Sequence, residues 1–390
     1  MKKLVVMVLV VAVALGCLAG CGASSSDSDT IKIGYLGPLT GGVAQYGIAV
    51  HNGVQLYVDK LNAAGGINGK QVELVSYDEE GDATKAVTGY NSLMDSGIVA
   101  LVGDVTTGPT LAVVPEAYAD NTPMITASAT AIAVTYNEDE DFVYSNMFRS
   151  CFIDSFQGVT MAKFSKEVLG AATAAVLYDN GDTYSTGVYE YFEATAKDIG
   201  LEIVDVESYA SGSTDFSGQL TNIAAKDPDV LFLPIYYNDV ALVASQAVDA
   251  GLDAALAGVD GWSSVMDAVT DPALVEGAYY CSGYSVEDTS ELVQTFLKNY
   301  GAKFNGEVPN MFGAQGYDAA WLLCNAIAAA ESSGAKYGSD EYKQAIIDNM
   351  AATDFDFVTG HISFDSHNDP QKTAAIINIS DGVESFWGSY

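Results

Sequence analysis

The chain has 390 residues, of which 51 are acidic and 16 are basic, giving a formal net charge of −35 at pH 7. Such an acidic surface repels nucleic acid and anionic membranes, and the chain has one arginine and no basic cluster, so neither is expected as a partner. A hydrophobic content of 49% and an aromatic content of 11% exclude a disordered acidic chain, and the length suggests two globular domains.

The amino terminus has the pattern of a secretory signal peptide. Lys2 and Lys3 form a short positive segment, and residues 4–15 form an uncharged apolar run. This run is shorter than the roughly 20 residues that a membrane-spanning helix needs, but it matches the apolar region of a signal peptide. We therefore expect export across the cytoplasmic membrane.

The sequence LAGC at residues 18–21 resembles the lipobox of bacterial lipoproteins. The resemblance implies that residues 1–20 are removed and that Cys21 carries a lipid. Ordinary signal cleavage near Ala19 is the alternative. The following stretch is small and polar, so residues 21–29 are expected to form a flexible tether.

From residue 31 onward, the predicted elements alternate between strand and helix. Residues 31–36 form an apolar run that ends at Gly37 and Pro38, and apolar residues at helical spacing follow until Gly65 and Gly66. The same alternation then predicts strands at 71–77, 98–102 and 124–126, and helices at 82–97 and 109–121.

The alternation restarts after Arg149. Helices are predicted at 152–169, 187–199, 216–226 and 240–250, with strands at 174–178, 202–209, 230–233, 256–259 and 277–281. Helices at 292–300, 314–330 and 341–351 precede the last strands, near 362–364, 374–379 and 385–387. Short strands that alternate with helices predict parallel sheets with helices on both faces, arranged here as two Rossmann-like α/β lobes.

In open α/β sheets, ligands bind at the carboxyl ends of strands, against helix amino termini. The loop after Val102 places Thr106 and Thr107 directly before a predicted helix. Hydroxyl groups, unpaired backbone N–H groups and the helix dipole together suit a carboxylate. Simple capping of the helix by Thr107 is the alternative interpretation.

Two further loops offer polar groups at the same edge of the sheets. Ser128, Ala129 and Thr130 follow one strand and supply hydroxyls and free backbone groups, although a polar turn has the same composition. Asp260 follows another short strand, where a carboxylate is able to pair with an ammonium group. The alternative is that Asp260 and Gly261 form an ordinary turn.

Aromatic residues also follow the predicted strands. Four tyrosines lie in or just after these loops rather than on a core face, namely Tyr46, Tyr184, Tyr236 and Tyr237. Each one alone is commonly a packing residue, but as a set they predict the walls of an apolar pocket.

The sequence lacks the constellations of an enzyme. It has three histidines, none at the spacing of a metal site, and no nucleophile elbow or phosphate-binding glycine loop. Cys151, Cys281 and Cys324 are far apart and are expected to act as small buried hydrophobic residues. We therefore expect no catalytic residue, no metal and no cofactor.

Several motifs carry a family resemblance across residues 31–381. They are IKIGYLGPLTGGVAQYG at 31–47, LNAAGGINGKQVELVSYD at 61–78, DSFQG at 154–158, DFSGQL at 215–220, AGLDAALAG at 250–258 and GYDAAWLL at 316–323. The chain resembles the solute-binding proteins of ABC transporters for branched-chain and other hydrophobic amino acids. The resemblance implies the type I periplasmic binding fold, in which a ligand binds between two lobes.

That resemblance also implies lobe boundaries. Lobe 1 would comprise residues 30–149 and 283–358, and lobe 2 would comprise residues 150–282 and 359–390. The three crossovers between them would form a hinge, and the lobes would close on the ligand by bending there.

Positions that match the family's binding residues define the expected site. Thr107 and Thr130 would contact a ligand carboxylate, with Val105 and Thr106 lining that wall through their backbone. Asp260 and the carbonyl of Ser128 would contact the ammonium group, beside Ala129. The expected pocket walls are Tyr46, Tyr184, Tyr236 and Phe312. A leucine-binding member of the family has Glu at the position of Asp260, so the shorter acid puts the ammonium contact in question.

The function implied is that of the extracytoplasmic substrate-binding component of an ABC transporter, which passes a hydrophobic amino acid to permease and ATPase subunits. Its membrane contact would be the lipid on Cys21, at the outer face of the cytoplasmic membrane. Alternatives with the same fold are a protein for an amide, urea-like or aromatic solute, and a ligand-sensing partner of a receptor.

Overall fold

The computed structural model describes residues 30–390. The predicted signal peptide, Cys21 and the tether lie outside the described residues. Among those described, no helix combines the length and the apolar character needed to cross a bilayer.

A five-stranded, all-parallel sheet is formed mainly by the first part of the chain. The strands in this part are β1 (Thr30–Gly37), β2 (Gln71–Asp78), β3 (Ala100–Val102), β4 (Met124–Thr126), β5 (Tyr136–Asn137), β6 (Phe142–Val143) and β7 (Met147–Arg149). The spatial order of the sheet is β2-β1-β3-β4-β7, and β5 and β6 form a separate two-stranded hairpin. The first helices are α1 (Ala44–Ala63), α2 (Ala83–Asp95) and α3 (Thr107–Ala119).

A seven-stranded sheet contains most of the remaining strands, in the order β16-β15-β12-β11-β10-β8-β9. Its strands are β8 (Thr173–Asp179), β9 (Glu202–Tyr209), β10 (Val230–Leu233), β11 (Ala255–Gly258), β12 (Tyr279–Ser282), β15 (Ala375–Ser380) and β16 (Val383–Ser389). β15 and β16 are antiparallel and form one edge. β13 (Asp354–Phe357) and β14 (Gly360–Ser363) form another hairpin.

The remaining helices cover both sheets. They are α4 (Asp154–Glu167), α5 (Thr183–Ile199), α6 (Ser217–Ala224), α7 (Tyr237–Asp249), α8 (Val265–Ala268), α9 (Glu291–Lys303), α10 (Met311–Ser333) and α11 (Asp340–Ala351). Short 3-10 helices occur at Ile132–Val134, Asp260–Trp262 and Pro272–Val275. Helices lie on both faces of the second sheet because successive side chains of its strands point to opposite faces, and both faces are apolar. In β10, Val230 and Phe232 pack in one hydrophobic core, whereas Leu231 and Leu233 pack in the other.

The chain passes between the two sheets three times. It leaves the five-stranded sheet after β7, returns after β12 to build α9, α10 and α11, and enters the second sheet again at β15. α10 packs closely on α1 because Gly53 and Gly316 lack side chains at the crossing: a Cβ on Gly53 would lie 2.0 Å from the carbonyl oxygen of Gly313. These layers confirm the predicted fold class of two α/β lobes with parallel sheets between helices.

Candidate functional site

A small cavity lies where the carboxyl ends of strands from the two sheets face each other. The space that a water-sized sphere can occupy there is only about 10 Å³, so the walls of the cavity lie close together. It is lined by Tyr46, Val105, Thr106, Thr107, Ser128, Thr130, Tyr184, Tyr236, Asp260, Gly261 and Phe312. Of the predicted site residues, Ala129 is absent from this lining, because its side chain packs in the core beside α2 and α3.

One wall of the cavity is the start of α3. Thr106 occupies the N-cap position without a side-chain capping hydrogen bond, and Thr107 is the first helical residue. Capping by Thr107, the alternative interpretation of this loop, is therefore wrong. The N–H groups of the first turn have no partners within the helix, and the helix dipole favours an anion beside them.

The loop after β4 is braced against this wall. The hydroxyl of Ser128 donates to the carbonyl of Val105 at 2.7 Å. The hydroxyl of Thr126 donates to the carbonyl of Asp104 at 2.6 Å and accepts the N–H of Ser128 at 3.2 Å. Because the Ser128 hydroxyl is used within the protein, its backbone carbonyl is the group that remains for a ligand.

Thr130 lies on the same loop, next to a second buried acid. The backbone N–H of Asp154 donates to the carbonyl of Thr130 at 3.0 Å. Burial raises the pKa of the Asp154 carboxyl well above its usual value, and the hydroxyl of Thr130 acts in the opposite direction. Thr130 therefore connects the cavity wall to a carboxyl that favours its neutral form.

Asp260 lies across the cavity from the α3 wall, on the second sheet. It follows β11, and only 2% of its surface is exposed. One carboxylate oxygen of Asp260 accepts a hydrogen bond from the hydroxyl of Tyr184 at 2.6 Å. The backbone N–H of Asp260 donates to the side-chain oxygen of Gln157 at 2.9 Å. Burial raises the pKa of Asp260 to about 6, against the opposing effect of these side chains, so the carboxylate is largely ionised at pH 7.

Aromatic rings form the rest of the cavity surface. Tyr46 stacks on Phe312 with ring centroids 4.3 Å apart, and Tyr184 stacks on Tyr236 at 5.0 Å. The Tyr46 and Tyr236 rings meet edge to face at 5.7 Å. The four rings lie at the starts of α1, α5, α7 and α10 and border an apolar space beside the polar groups.

Comparison with known proteins agrees with this geometry. The family model for periplasmic binding proteins matches residues 30–383, most of the chain. The chain belongs to the periplasmic binding protein family. As a member of that family it is an extracytoplasmic binding protein, and its relatives are substrate-binding proteins of transport systems rather than enzymes.

Three relatives illustrate the similarity. A leucine-, isoleucine-, valine-, threonine- and alanine-binding protein of Pseudomonas aeruginosa is 29% identical over 353 residues, which cover 90% of each chain. The branched-chain amino acid transporter substrate-binding protein LivJ of Streptococcus pneumoniae, solved with isoleucine, is 34% identical with a TM-score of 0.82, covering 92% of this chain and 98% of LivJ. The leucine-binding protein LivK of Thermotoga maritima is 28% identical with a TM-score of 0.83 and the same coverage.

Tyr46 of this periplasmic binding protein makes hydrogen bonds that could not be predicted from the sequence. Its hydroxyl donates to the carbonyl of Gly261 and accepts the N–H of Tyr237 at 3.2 Å. The hydroxyl of Tyr237 in turn donates to the carbonyl of Gly42 at 3.0 Å. Tyr46 therefore joins the two sides of the cleft as well as lining it.

Two positioning residues were also missed. Gln157 holds Asp260, and its only signal in the sequence was its place in the DSFQG motif. Gly261 donates its N–H to the hydroxyl oxygen of Tyr184 at 3.0 Å, and a Cβ there would lie 2.8 Å from the same oxygen. The adjacent Trp262 is fully buried and donates to the carbonyl of Leu233, so it lies in the core rather than in the cavity.

Proposed function

We propose that the protein captures a branched-chain or other hydrophobic amino acid between its two lobes and delivers it to an ABC permease. The observation that carries the proposal is the opposition of charges across one small cavity. The uncapped start of α3 lies on one side, and the buried Asp260 lies on the other. This arrangement complements a zwitterion with an apolar side chain.

Each group of the ligand then has assigned partners. Its carboxylate would be bound by Thr107 and Thr130 and by backbone groups of Val105 and Thr106. Its ammonium group would be bound by Asp260 and by the carbonyl of Ser128. Its side chain would contact four rings, those of Tyr46, Tyr184, Tyr236 and Phe312.

The interaction energies expected from these contacts are large enough for micromolar binding of an amino acid. Hydrogen bonds to charged groups contribute about 1.5–3 kcal/mol each, and burial of a leucine-sized side chain contributes about 1.5–3 kcal/mol. Three or four such bonds offset the cost of association and leave roughly micromolar binding, about −8 kcal/mol.

The proposal includes the organisation of the whole protein. We assign residues 30–149 and 283–358 to lobe 1 and residues 150–282 and 359–390 to lobe 2, in keeping with the three crossings between the sheets. Lipid on Cys21 would hold the protein at the outer face of the cytoplasmic membrane, where the permease would receive the ligand for transport driven by the ATPase subunits.

A thermal-shift screen of the purified protein against the standard amino acids, with amides and aromatic acids as further solutes, tests this function. Stabilisation by leucine, isoleucine or valine is the expected result, because a ligand that binds only the folded state raises its stability. Stabilisation only by amides or aromatic acids would transfer the proposal to those solutes. A response to none of these solutes would contradict it.

A further inference from the structure

Two buried acids lie directly behind the α3 wall of the cavity. Glu79 follows β2 and Asp104 follows β3, so both belong to the carboxyl edge of the five-stranded sheet. Both residues have no exposed surface. Neither lines the cavity, but Asp104 immediately precedes Val105 and Thr106, which do. The two acids are therefore placed to set the position of that wall.

The hydrogen bonds of the two side chains leave one oxygen on each without a donor. Glu79 Oε2 accepts the backbone N–H of Asp82 at 2.8 Å, and Asp104 Oδ1 accepts the backbone N–H of Val105. Glu79 Oε1 and Asp104 Oδ2 are buried, and neither has a hydrogen-bond partner among the described residues. Two ionised carboxylates offer only acceptors, so each would bury an unsatisfied charge beside the other.

One proton resolves this conflict. The carboxyl groups of Glu79 and Asp104 lie within hydrogen-bond reach of each other. A protonated carboxyl group is a donor, so a single O–H between them would satisfy both remaining oxygens. Burial, together with the charge of Glu79, raises the pKa of Asp104 well above its usual value. Burial likewise raises the pKa of Glu79 to about 7. Because the two groups titrate together, the proton belongs to the pair rather than to one residue.

The pair is connected to both polar loops of the site. The Asp104 carbonyl accepts the hydroxyl of Thr126, and the carbonyl of the next residue, Val105, accepts the hydroxyl of Ser128. A displacement of Asp104 would therefore move the α3 wall and the loop after β4 together. The ligand groups assigned to both loops would lose their alignment.

We propose that Glu79 and Asp104 share one proton and act as a positioning pair for the carboxylate-binding wall. Loss of that proton would drive the two side chains apart and weaken ligand binding. The binding half of this inference rests on the proposed function, whereas the shared proton does not.

Other ionisable groups surround the pair. Asp78, at the end of β2, and Tyr35, on β1, both interact with it electrostatically. The Asp78 carboxylate accepts the N–H of Leu39, and the Tyr35 hydroxyl donates to the carbonyl of Gly47. At the surface, Asp82 caps α2, and Lys85 pairs with Glu80 at 2.7 Å. Of these groups, the Asp78 carboxylate raises the pKa of Glu79 and so favours retention of the shared proton.

Unfolding without ligand tests the shared proton. Glu79 should lose its proton near pH 4.5 in the unfolded chain, whereas the folded pair should lose its shared proton near pH 7. The contribution of the pair to stability is therefore full below about pH 4.5 and falls progressively as the pH rises to about 7. In this window the unfolding constant should rise by about an extra tenfold per pH unit. In Glu79→Gln the amide supplies a permanent N–H donor to Asp104, so this extra dependence should disappear.

The adjacent, exposed Glu80 provides the matched control, because Glu80→Gln makes the same chemical change outside the pair. Its urea unfolding curves from pH 5 to 8.5 should follow those of the wild type. Asp104→Asn places an amide on the other side and should also remove the extra pH dependence. Equal pH dependence in wild type and both pair variants would overturn the inference, as would failure of both pair variants to fold.

Titration with L-leucine tests the positioning role. From pH 6.5 to 8.5 the dissociation constant of the wild type should rise by up to about tenfold, and that of Glu79→Gln should stay constant. A rise that persists in Glu79→Gln would refute the positioning role. If L-leucine and L-isoleucine fail to bind any form, the proposed function fails, while the unfolding curves still report on the proton.

Discussion

At the scale of single residues, the position of Asp260 defines the acidic end of the cavity. The Tyr184 hydroxyl and the Gln157 side chain hold this acid from two directions. These contacts fix the short carboxylate of Asp260 at the cavity wall. Tyr184 therefore has two roles: its ring stacks on Tyr236 in the cavity wall, and its hydroxyl positions the Asp260 carboxylate.

Asp260 predicts a pH dependence of ligand affinity. The pKa of Asp260 in the folded protein is about 6, above its ordinary value of 3.8. In the absence of ligand, its contribution to folding stability therefore declines as the pH rises from about 4 to 6. A ligand ammonium group requires the ionised form, so the affinity for L-leucine should fall by about tenfold per pH unit below pH 6. Calorimetric titration between pH 4.5 and 7 measures this slope.

Asp260→Asn should bind more weakly at pH 7 and show no such slope, because the amide does not titrate. Asp253→Asn, at an exposed position before β11, is the control and should match the wild type. An unchanged slope in Asp260→Asn would assign the pH dependence to another group.

Removal of the Thr107 hydroxyl should lower the affinity for ligand without a comparable loss of folding stability. Thr107→Val keeps the shape of the side chain and removes a hydroxyl that makes no capping bond. If that hydroxyl binds the ligand carboxylate, its removal should cost about 1.5–3 kcal/mol of binding, or roughly 10–150-fold in affinity. Thr88→Val, on the exposed side of α2, removes a helical hydroxyl away from the cavity and is the control. Equal affinity in Thr107→Val and wild type would remove Thr107 from the site.

At the scale of elements, Arg149 fastens the loop after β4 to the last crossover. Its guanidinium donates to the carbonyls of Ala129 and Ala131 at 3.0 Å and pairs with Asp369 at 2.6 Å. The side chain of Arg149 is fully buried, and that of Asp369 is 7% exposed. The one arginine of the chain thus holds the loop after β4 on the segment that leads from β14 into β15.

Arg149→Met should lower the free energy of unfolding by about 3–5 kcal/mol, because it leaves the Asp369 charge buried without its partner. Addition of Asp369→Asn should recover part of that loss, since the two residues are coupled. Urea unfolding at pH 7 measures both changes. If the two substitutions change the free energy of unfolding by strictly additive amounts, Arg149 and Asp369 have no interaction energy with each other.

Element positions were partly predictable from the sequence. The apolar strands and the glycine-terminated helices were found because burial and helix stops are local signals. α5 begins at Thr183 rather than at the predicted 187, because Asp182 accepts the N–H of Tyr184 and caps the helix. β13 was missed because three of its four residues, Asp354, Phe355 and Asp356, are exposed and give no buried-strand signal.

Contacts between distant segments were not predictable from residue patterns alone. The bond from Tyr46 to Gly261 joins residues 215 positions apart. The pairing of Glu79 with Asp104 likewise depends on the lateral order of β2, β1 and β3. The sequence identified most of the cavity lining through strand ends and family motifs, but not which side chains bridge the cleft.

At the scale of the whole molecule, direct hydrogen bonds link the two sides of the cleft. Tyr46 bonds to Gly261 and Tyr237, and Asn310 donates to the hydroxyl of Ser264 at 3.0 Å. These contacts enclose the cavity, so they are expected to slow the release of a ligand.

Tyr46→Phe tests that role, because it keeps the stacking on Phe312 and removes the bridging hydroxyl. Loss of one or two neutral hydrogen bonds should cost about 0.5–1.5 kcal/mol each, expressed mainly as a faster dissociation rate. Stopped-flow dissociation of L-leucine measures the rate, with Tyr189→Phe, on α5 but outside the cavity lining, as control. An unchanged dissociation rate would show that Tyr46 acts only as a pocket wall.

The central claim is that one cavity recognises both charged ends of a hydrophobic amino acid. Calorimetric titration with L-leucine, isocaproate and isoamylamine tests it directly, because the last two compounds keep the side chain and lack the ammonium or the carboxylate. Binding of L-leucine in the micromolar range or tighter, with at least about tenfold weaker binding of both analogues, is the result that the site geometry predicts. Binding of either analogue as tightly as L-leucine would contradict recognition of the zwitterion.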